Sequence, residues 1–279
     1  MYDGGFLSKP GLLQRAVGEL RVSVKRVGSE TMLDELRQVG CLKVRFPRRV
    51  VPGWMDIVTL NTGGGVAGGD RLDVAVGVGA GAQVTAAAQS AERFYRALDS
   101  DAPSRVRTRL TVQAGASLEW LPQDAILFDR CSLDRRLDVD LDVDASFLGV
   151  ETLVFGRREM GERVRRGWLR DLIRVRRIGE LLLHDAVRMD GEIDAILQRA
   201  AVGGGAGVVA TLVYVARDAQ DRLDAVRGAL GPADAGASAW NGMLMARILG
   251  ADSAAVRRTV VAVLDVLREG RPLPRVWLC

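Results

Sequence analysis

The feature that most limits the fold of this chain is alternation. From about Gly40 to Leu183 apolar and polar residues exchange places with period two. Leu72, Val74, Val76 and Val78 alternate with Asp73, Ala75 and Gly77, and Val106, Thr108, Leu110 and Val112 with Arg105, Arg107 and Arg109. Leu137, Val139, Leu141 and Val143 alternate with Asp138, Asp140, Asp142 and Asp144. Successive side chains of a strand point to opposite faces, so each run is a strand with one face on a core. Glycine-rich turns separate the runs, in a chain where 32 of 279 residues are glycine. A weak repeat is superposed: VGAGAQVTAAAQ (78–89) and VQAGASLEWLPQ (112–123) share Val, Ala, Gly, Ala and a final Gln, 34 residues apart. A third copy is read as starting at Val143, about 31 residues further on. Recurrence at such a period implies stacked strand–turn–strand layers, as in a β-helix or a long sandwich.

The C-terminal third changes character. Asp190–Ala200 reads as a short helix burying Ile193, Ile196, Leu197 and Ala200, Val208–Val215 as a buried strand, and Asp218–Leu230 as a helix. Ala237–Leu249 reads as a hairpin about Asn241-Gly242. Ser253–Arg268 carries Val256, Val260, Val263, Leu264 and Leu267 on one helical face, with Asp252 or Ser253 to cap its start and Gly270 to end it. The expected fold class is mainly β: a stacked, β-helical-like body over 1–185 and a smaller α+β part over 186–279 with two or three helices, packed as one continuous unit.

Composition removes several function classes. His184 is the single histidine, and Cys41, Cys131 and Cys279 are scattered, so His-rich zinc sites, serine-hydrolase triads and disulfide frameworks have no residues to use. The start has no charged-then-apolar leader and no run is long enough to span a bilayer, so a cytoplasmic protein without a membrane partner is expected. The 39 basic and 35 acidic residues are interspersed, which gives no electrostatic ground for nucleic-acid binding. Gly63–Gly68 fits GxGxxG, but a strand pattern follows where a dinucleotide fold needs a helix, so the segment reads as a tight glycine loop. The aspartate row 138–144 reads as a solvated outer face. His184 reads as structural, and Cys131 has no neighbouring His or Cys to activate it.

Asp70, Glu119, Glu151, Glu162 and Glu180 differ in kind, because each sits among glycines or apolar residues. Buried carboxylates need partners. Arginines such as Arg71, Arg93, Arg157 and Arg158 could supply them in a purely structural role. The functional alternative is a polar, hydrated internal path, whose weak oxygen ligands let an ion pass where thiolates and imidazoles would trap it.

Five segments then come in order: NTGGGVAGGDRLDVAVGVGAGA (61–82), AQSAERFYRA (88–97), GASLEWLPQDAILFD (115–129), FLGVETLVFGRREMGE (147–162) and PLPRVW (272–277). Together they resemble the urease accessory protein UreD (UreH) family over nearly the whole chain. The resemblance implies a β-rich stack of strands with a few helices and no catalytic activity. It implies direct binding to UreF, contact with the GTPase UreG through UreF, and binding to apo-urease. Nickel(2+) is implied as transient cargo, carried through an internal tunnel to the urease active site, with no cofactor tightly bound. Asp70, Glu119, Glu151 and Glu162 become candidate nickel-path acids, Asp70 and Glu162 foremost, with Gln89, Arg93, Tyr95 and Gln123 as further polar tunnel or core candidates. The chain departs from the family pattern where TTQAATKVYRS becomes AAAQSAERFYRA, which places Ala87, Ala88, Glu92 and Arg93 at threonine and lysine positions. It departs again where FDGA becomes FDRC, which makes Cys131 an extra soft ligand candidate, and where tryptophan becomes Val150. The C-terminal third and the strands around Phe147 are the candidate UreF surface. Two other readings remain: a stand-alone nickel-binding metallochaperone, and a carbohydrate-processing enzyme with paired carboxylates in an open groove.

Overall fold

The computed structural model describes residues 14–157 and 160–278. The chain winds between two sheets. Sheet A contains β1 (Val17–Val27), β2 (Glu30–Gly40), β5 (Arg71–Val78), β8 (Ser104–Val112), β11 (Ser132–Leu141), β13 (Gly167–Arg177) and β14 (Glu180–Gly191). Sheet B contains β3 (Leu42–Arg45), β4 (Trp54–Asn61), β6 (Gln83–Ala88), β9 (Ser117–Leu121) and β12 (Ser146–Phe155). It continues through β15 (Val208–Val215), β17 (Met243–Gly250) and β16 (Asp234–Trp240). Two short strands, β7 (Glu92–Phe94) and β10 (Ala125–Leu127), add a third facet beside the distal end of β12. The central pairings β1–β5–β8–β11–β13 and β4–β6–β9–β12 are all parallel, and hairpins close both ends of sheet A.

Stacked turns explain the repeat. Val78 faces Val112, and Gln83 faces Ser117, each 34 residues on. The next layer is shorter: Val112 faces Leu141, and Ser117 faces Ser146, 29 residues on. The third copy therefore begins at Leu141, two residues before the start read from sequence, because the turn Asp142–Ala145 lies directly over Gln113–Ala116. Each turn closes on itself, Ala82 N–H to Gly79 O at 3.0 Å and Ala116 N–H to Gln113 O at 3.0 Å. Neighbouring turns are also linked, Gly81 N–H to Ala114 O at 3.0 Å and Gly115 N–H to Asp144 Oδ1 at 2.8 Å. The aspartate row accordingly divides. Asp138 and Asp140 lie on the outer face of sheet A, Asp138 between Arg136 and Arg174 at 2.7 Å each, while Asp142 and Asp144 belong to the turn.

Two apolar cores result. One fills the space between the sheets, with Leu20, Leu110, Leu133, Val139, Phe147 and Leu169 essentially sealed from solvent. Each such side chain is worth ~1.5–3 kcal/mol of transfer free energy. Phe147 belongs to this core, so its own side chain is not open to a partner. The second core lies on the other face of sheet B, where α2 (Leu223–Leu230) and α3 (Ser253–Leu267) cover it. The α3 residues Val256, Val260, Val263, Leu264 and Leu267 are all buried, and the Asp252 carboxylate caps the helix by accepting from Ala254 and Ala255 N–H. The order β15-α2-β16-β17-α3 is the βαββα arrangement expected from the periodicity, and Asn241 and Gly242 adopt positive φ in the hairpin turn. α1 (Ile193–Leu197) buries Ile193 and Leu197, but Ala200 lies beyond its end and is exposed. The first strands, β1 and β2, run up to Gly40, and β1 alternates as well, with Leu20, Val22 and Val24 buried between Glu19, Arg21, Ser23 and Lys25. No described helix is long and apolar enough to cross a membrane.

Arg130, in the turn before β11, holds φ at 61°. That region costs an L-residue with a Cβ ~1–2 kcal/mol, and the family pattern FDGA has glycine here. Arg130→Gly is expected to raise the urea midpoint of unfolding by an amount equivalent to about 0.5–1 kcal/mol, after the larger backbone entropy of unfolded glycine is subtracted. Arg130→Ala, which keeps a Cβ, is expected to leave the midpoint near that of the native chain.

Candidate functional site: a polar cavity between the sheets

Inward positions on β11 are Leu133, Arg135, Leu137 and Val139, and on β13 Leu169, Asp171, Ile173 and Val175. Arg135 and Asp171 are register partners, so the sheet brings a guanidinium and a carboxylate side by side inside the sandwich. The pair is bidentate: Arg135 Nε donates to Asp171 Oδ1 at 2.8 Å and Nη2 to Oδ2 at 2.7 Å. Glu151 reaches in from β12 of the opposite sheet. Its Oε2 accepts from Arg135 Nη1 at 2.7 Å, and its Oε1 from the Trp120 indole N–H at 2.9 Å. Two carboxylates thus share one guanidinium, and the formal charge of the cluster is one negative. Burial pushes the Glu151 carboxyl above its usual value; Arg135 pulls it back and Asp171 adds to the rise. Burial works against the Arg135 charge too, but Asp171 and Glu151 more than offset this and hold the guanidinium protonated.

The cluster forms one wall of a cavity of about 170 Å³. Asn61, Glu92, Thr108 and Gln123 contribute further polar groups, and the mouth lies at residues 89–93, where Gln89 and Arg93 are exposed. Asn61 Nδ2 donates to Glu92 Oε2 at 3.0 Å. Burial raises the Glu92 carboxyl above its ordinary value, against the lowering effects of the Asn61 and Arg93 N–H donors and the Arg93 charge. The Thr108 side chain is buried, faces this cavity and has no hydrogen-bond partner among the described residues. The space is built to hold water or a polar guest.

The four candidate acids do not converge. Only Glu151 lines this cavity. Asp70 is buried in the glycine loop and accepts from Ala16 N–H and Ala67 N–H, both at 2.8 Å, so its carboxylate fastens the loop to the start of β1. Glu119, on the opposite face of β9 from Trp120, is sealed against the end of α3. It accepts from Thr85 Oγ1 (2.8 Å), Arg268 Nε (3.0 Å) and Arg271 Nη2 (2.6 Å). Glu162 pairs with Arg157 at 2.6 Å in a shallow surface recess, beside the Tyr95 and Phe128 rings. Tyr95 packs edge-on against Phe128 and donates its hydroxyl to Gly64 O at 2.9 Å, pinning the glycine loop at the cavity mouth. Gln123 lines the cavity and ties it to the C-terminal segment, donating to Val276 O at 2.8 Å and accepting from Arg257 at 2.9 Å. Glu180 is exposed at the start of β14, and Arg158 lies outside the described residues.

Among the described residues, no three His, Cys, Asp or Glu side chains gather as metal ligands. His184 is exposed on β14. Cys131 is buried, and burial, with Asp129 adding, pushes its thiol up to about 12, so it is no ready thiolate. Sequence reasoning missed Arg135, Asp171 and Glu92 as cavity groups. The first two had a signal: each stands on the apolar phase of an otherwise regular alternation.

The family model described as UreD urease accessory protein matches residues 16–278. The chain belongs to the UreD family. It is 42% identical over 264 residues to the urease accessory protein UreD of Rhizobium etli, spanning 95% of this chain and 96% of that one. The same-named protein of Xanthobacter autotrophicus is 44% identical over 270 residues (95% and 91%). That of a Methylobacterium species is 43% identical over 273 residues (95% of each). The cavity therefore sits within a fold that these relatives share along nearly their full length.

Because the folded-state value of Glu92 lies above its ordinary 4.5, the native chain binds more protons here than the unfolded chain. Its contribution to stability falls as pH rises from about 4.5 through the raised value. Glu92→Gln is expected to make unfolding less sensitive to pH across that window, and to be less destabilised than the native chain by a shift from pH 5 to pH 7, measured by urea denaturation.

Proposed function

We propose that this chain is a non-catalytic accessory protein of urease maturation, working in the cytoplasm as a scaffold that binds apo-urease and UreF, with UreG held through UreF. Nickel(2+) is transient cargo that passes through the cavity between the sheets. The observation that carries this reading is a cavity with a charged wall, with carboxylates from both sheets, in the interior of a UreD-family fold. Its donors are carboxylate, amide and hydroxyl oxygens. Such ligands hold a borderline cation weakly, which suits passage better than storage. A stand-alone nickel store would need a converging ligand set, and the acids found here are dispersed or already paired. The open-groove glycosidase is disfavoured for a similar reason: Glu151 and Asp171 meet through a guanidinium inside the sandwich.

The test is co-purification with UreF, UreG and apo-urease, followed by nickel-dependent urease activation. Glu151→Gln is expected to leave the complex intact and to slow activation by about tenfold, the effect of roughly 1.4 kcal/mol in a barrier. Asp70→Ala is expected to act differently, lowering the melting temperature by loosening the glycine loop. Glu162→Ala is expected to change stability little, because its ion pair is at the surface. Normal activation by Glu151→Gln would remove this cavity from the path. Failure to bind any of the three partners would remove the scaffold role.

A further inference from the structure

The Arg135 cluster is arranged in a way that an ion path alone does not require. A path lined only by Glu151 and Asp171 would offer a divalent cation two carboxylates from facing sheets, in an interior that screens charge poorly. A dication would be held there rather than passed. The protein instead supplies its own cation. Each of the four carboxylate oxygens has a donor: three are met by Arg135 Nε, Nη1 and Nη2 at 2.7–2.8 Å, and the fourth by the Trp120 indole at 2.9 Å. A second, independent feature marks the same space as a place for a guest. The Thr108 hydroxyl, on a residue only 8% exposed, faces the cavity without a partner among the described residues.

We propose that Arg135 is a built-in competitor for the cargo: its guanidinium fills the place between Glu151 and Asp171 that a divalent cation would take, so the cavity admits such an ion without retaining it. The inference rests on the reading that a divalent cation enters this cavity. It adds what decides the residence time there. One net negative charge remains to attract a cation, while the tight bidentate pair denies it the full ligand set. Arginine suits the task because its planar fork matches a carboxylate at two points and it does not lose its proton. The competing explanation is a structural staple between the sheets. A buried pair broken on one side leaves an uncompensated charge, so a staple predicts only lost stability on removal.

The experiment uses the purified full-length chain, with nickel(2+) and magnesium(2+) as probes in equilibrium dialysis and thermal melting. Arg135→Gln is expected to retain one nickel ion per chain at least about tenfold more tightly than the native protein. Its melting temperature is expected to rise with nickel and to respond far less to equimolar magnesium. Arg135→Gln/Glu151→Gln is expected to lose that gain. Equal nickel binding by the native chain and Arg135→Gln would overturn the proposal, and so would lost stability without rescue by nickel. If Arg135→Gln does not fold by itself, refolding with nickel decides: recovery of the folded chain supports the proposal. No recovery, with Arg135→Met/Glu151→Gln/Asp171→Asn folding normally, overturns it. Binding is read on the isolated chain, so its outcome is separate from urease activation. An inert Glu151→Gln in the activation assay would count against the path and leave the competition at Arg135 to be judged on dialysis.

Discussion

Parallel pairing is the constraint on which the rest of the structure depends. A parallel neighbour cannot be reached by a tight hairpin, so the chain must leave each strand, cross to the other sheet and return before it can add the next one. Once that route is taken, every circuit lays its turn on the previous turn. Val78, Val112 and Leu141 form one column; Gln83, Ser117 and Ser146 form another. The turns are then tied to one another as well as closed on themselves, which is why Gly81 and Gly115 both hold positive φ at matching places. A change in circuit length, from 34 to 29 residues, is absorbed on the way back to sheet A and leaves the columns intact.

The same winding gives the two sheets different lives. Sheet A has one core face and one outer face crossed by arginine–aspartate pairs, such as Arg174–Asp138 and Arg107–Asp134. Sheet B has cores on both faces, so a polar residue on either side of it must be paired inside the protein. Neighbours on β9 show the result. Glu119 points outward and is held by Arg268 and Arg271 beneath the end of α3; Trp120 points inward and donates to Glu151. The helical part is thus fastened to the sheet by an ion cluster that is separate from the interior cavity. Glu119 and Trp120, adjacent in one motif, serve different ends because a strand turns successive side chains to opposite faces.

The fold class, the βαββα order and the α3 cap were legible in the sequence, because each rests on local periodicity or on a capping residue. The stacking was legible in outline, through the 34-residue recurrence. Its third register was not, because matching Val143 by residue type overlooked the shorter circuit. The candidate site was less legible. Asp70 and Glu162 stand in the most recognisable motifs, yet one satisfies backbone N–H groups and the other an exposed arginine. Whether a carboxylate in a glycine-rich motif faces a cavity or clamps a loop depends on long-range neighbours, such as Ala16 beside Asp70, that spacing along the chain does not reveal. Arg135 and Asp171 were readable in principle. A charged residue on the apolar phase of a strand is unfavourable unless something opposite answers it, so a pair of such breaks is itself evidence for a buried polar cluster.

The motifs that identify the family build the approach to the cavity and part of its interior, where Trp120 and Glu151 belong to two of them while Arg135 and Asp171 do not. The glycine loop after β4 is held by Asp70 at one end and by the Tyr95 hydroxyl on Gly64 at the other. A Cβ on Gly65, whose φ is 142°, would collide with the Tyr95 ring, so the loop can lie flat over the mouth only as glycine. Asn61 adds a further tie, donating to Glu92 at the rim. Rim and interior therefore answer to different physics. The rim is fixed by backbone shape and local hydrogen bonds, which demand particular residue types. The interior is fixed by charge balance, where two carboxylates, one guanidinium and one indole must sum to a cluster that is attractive to a cation but already filled.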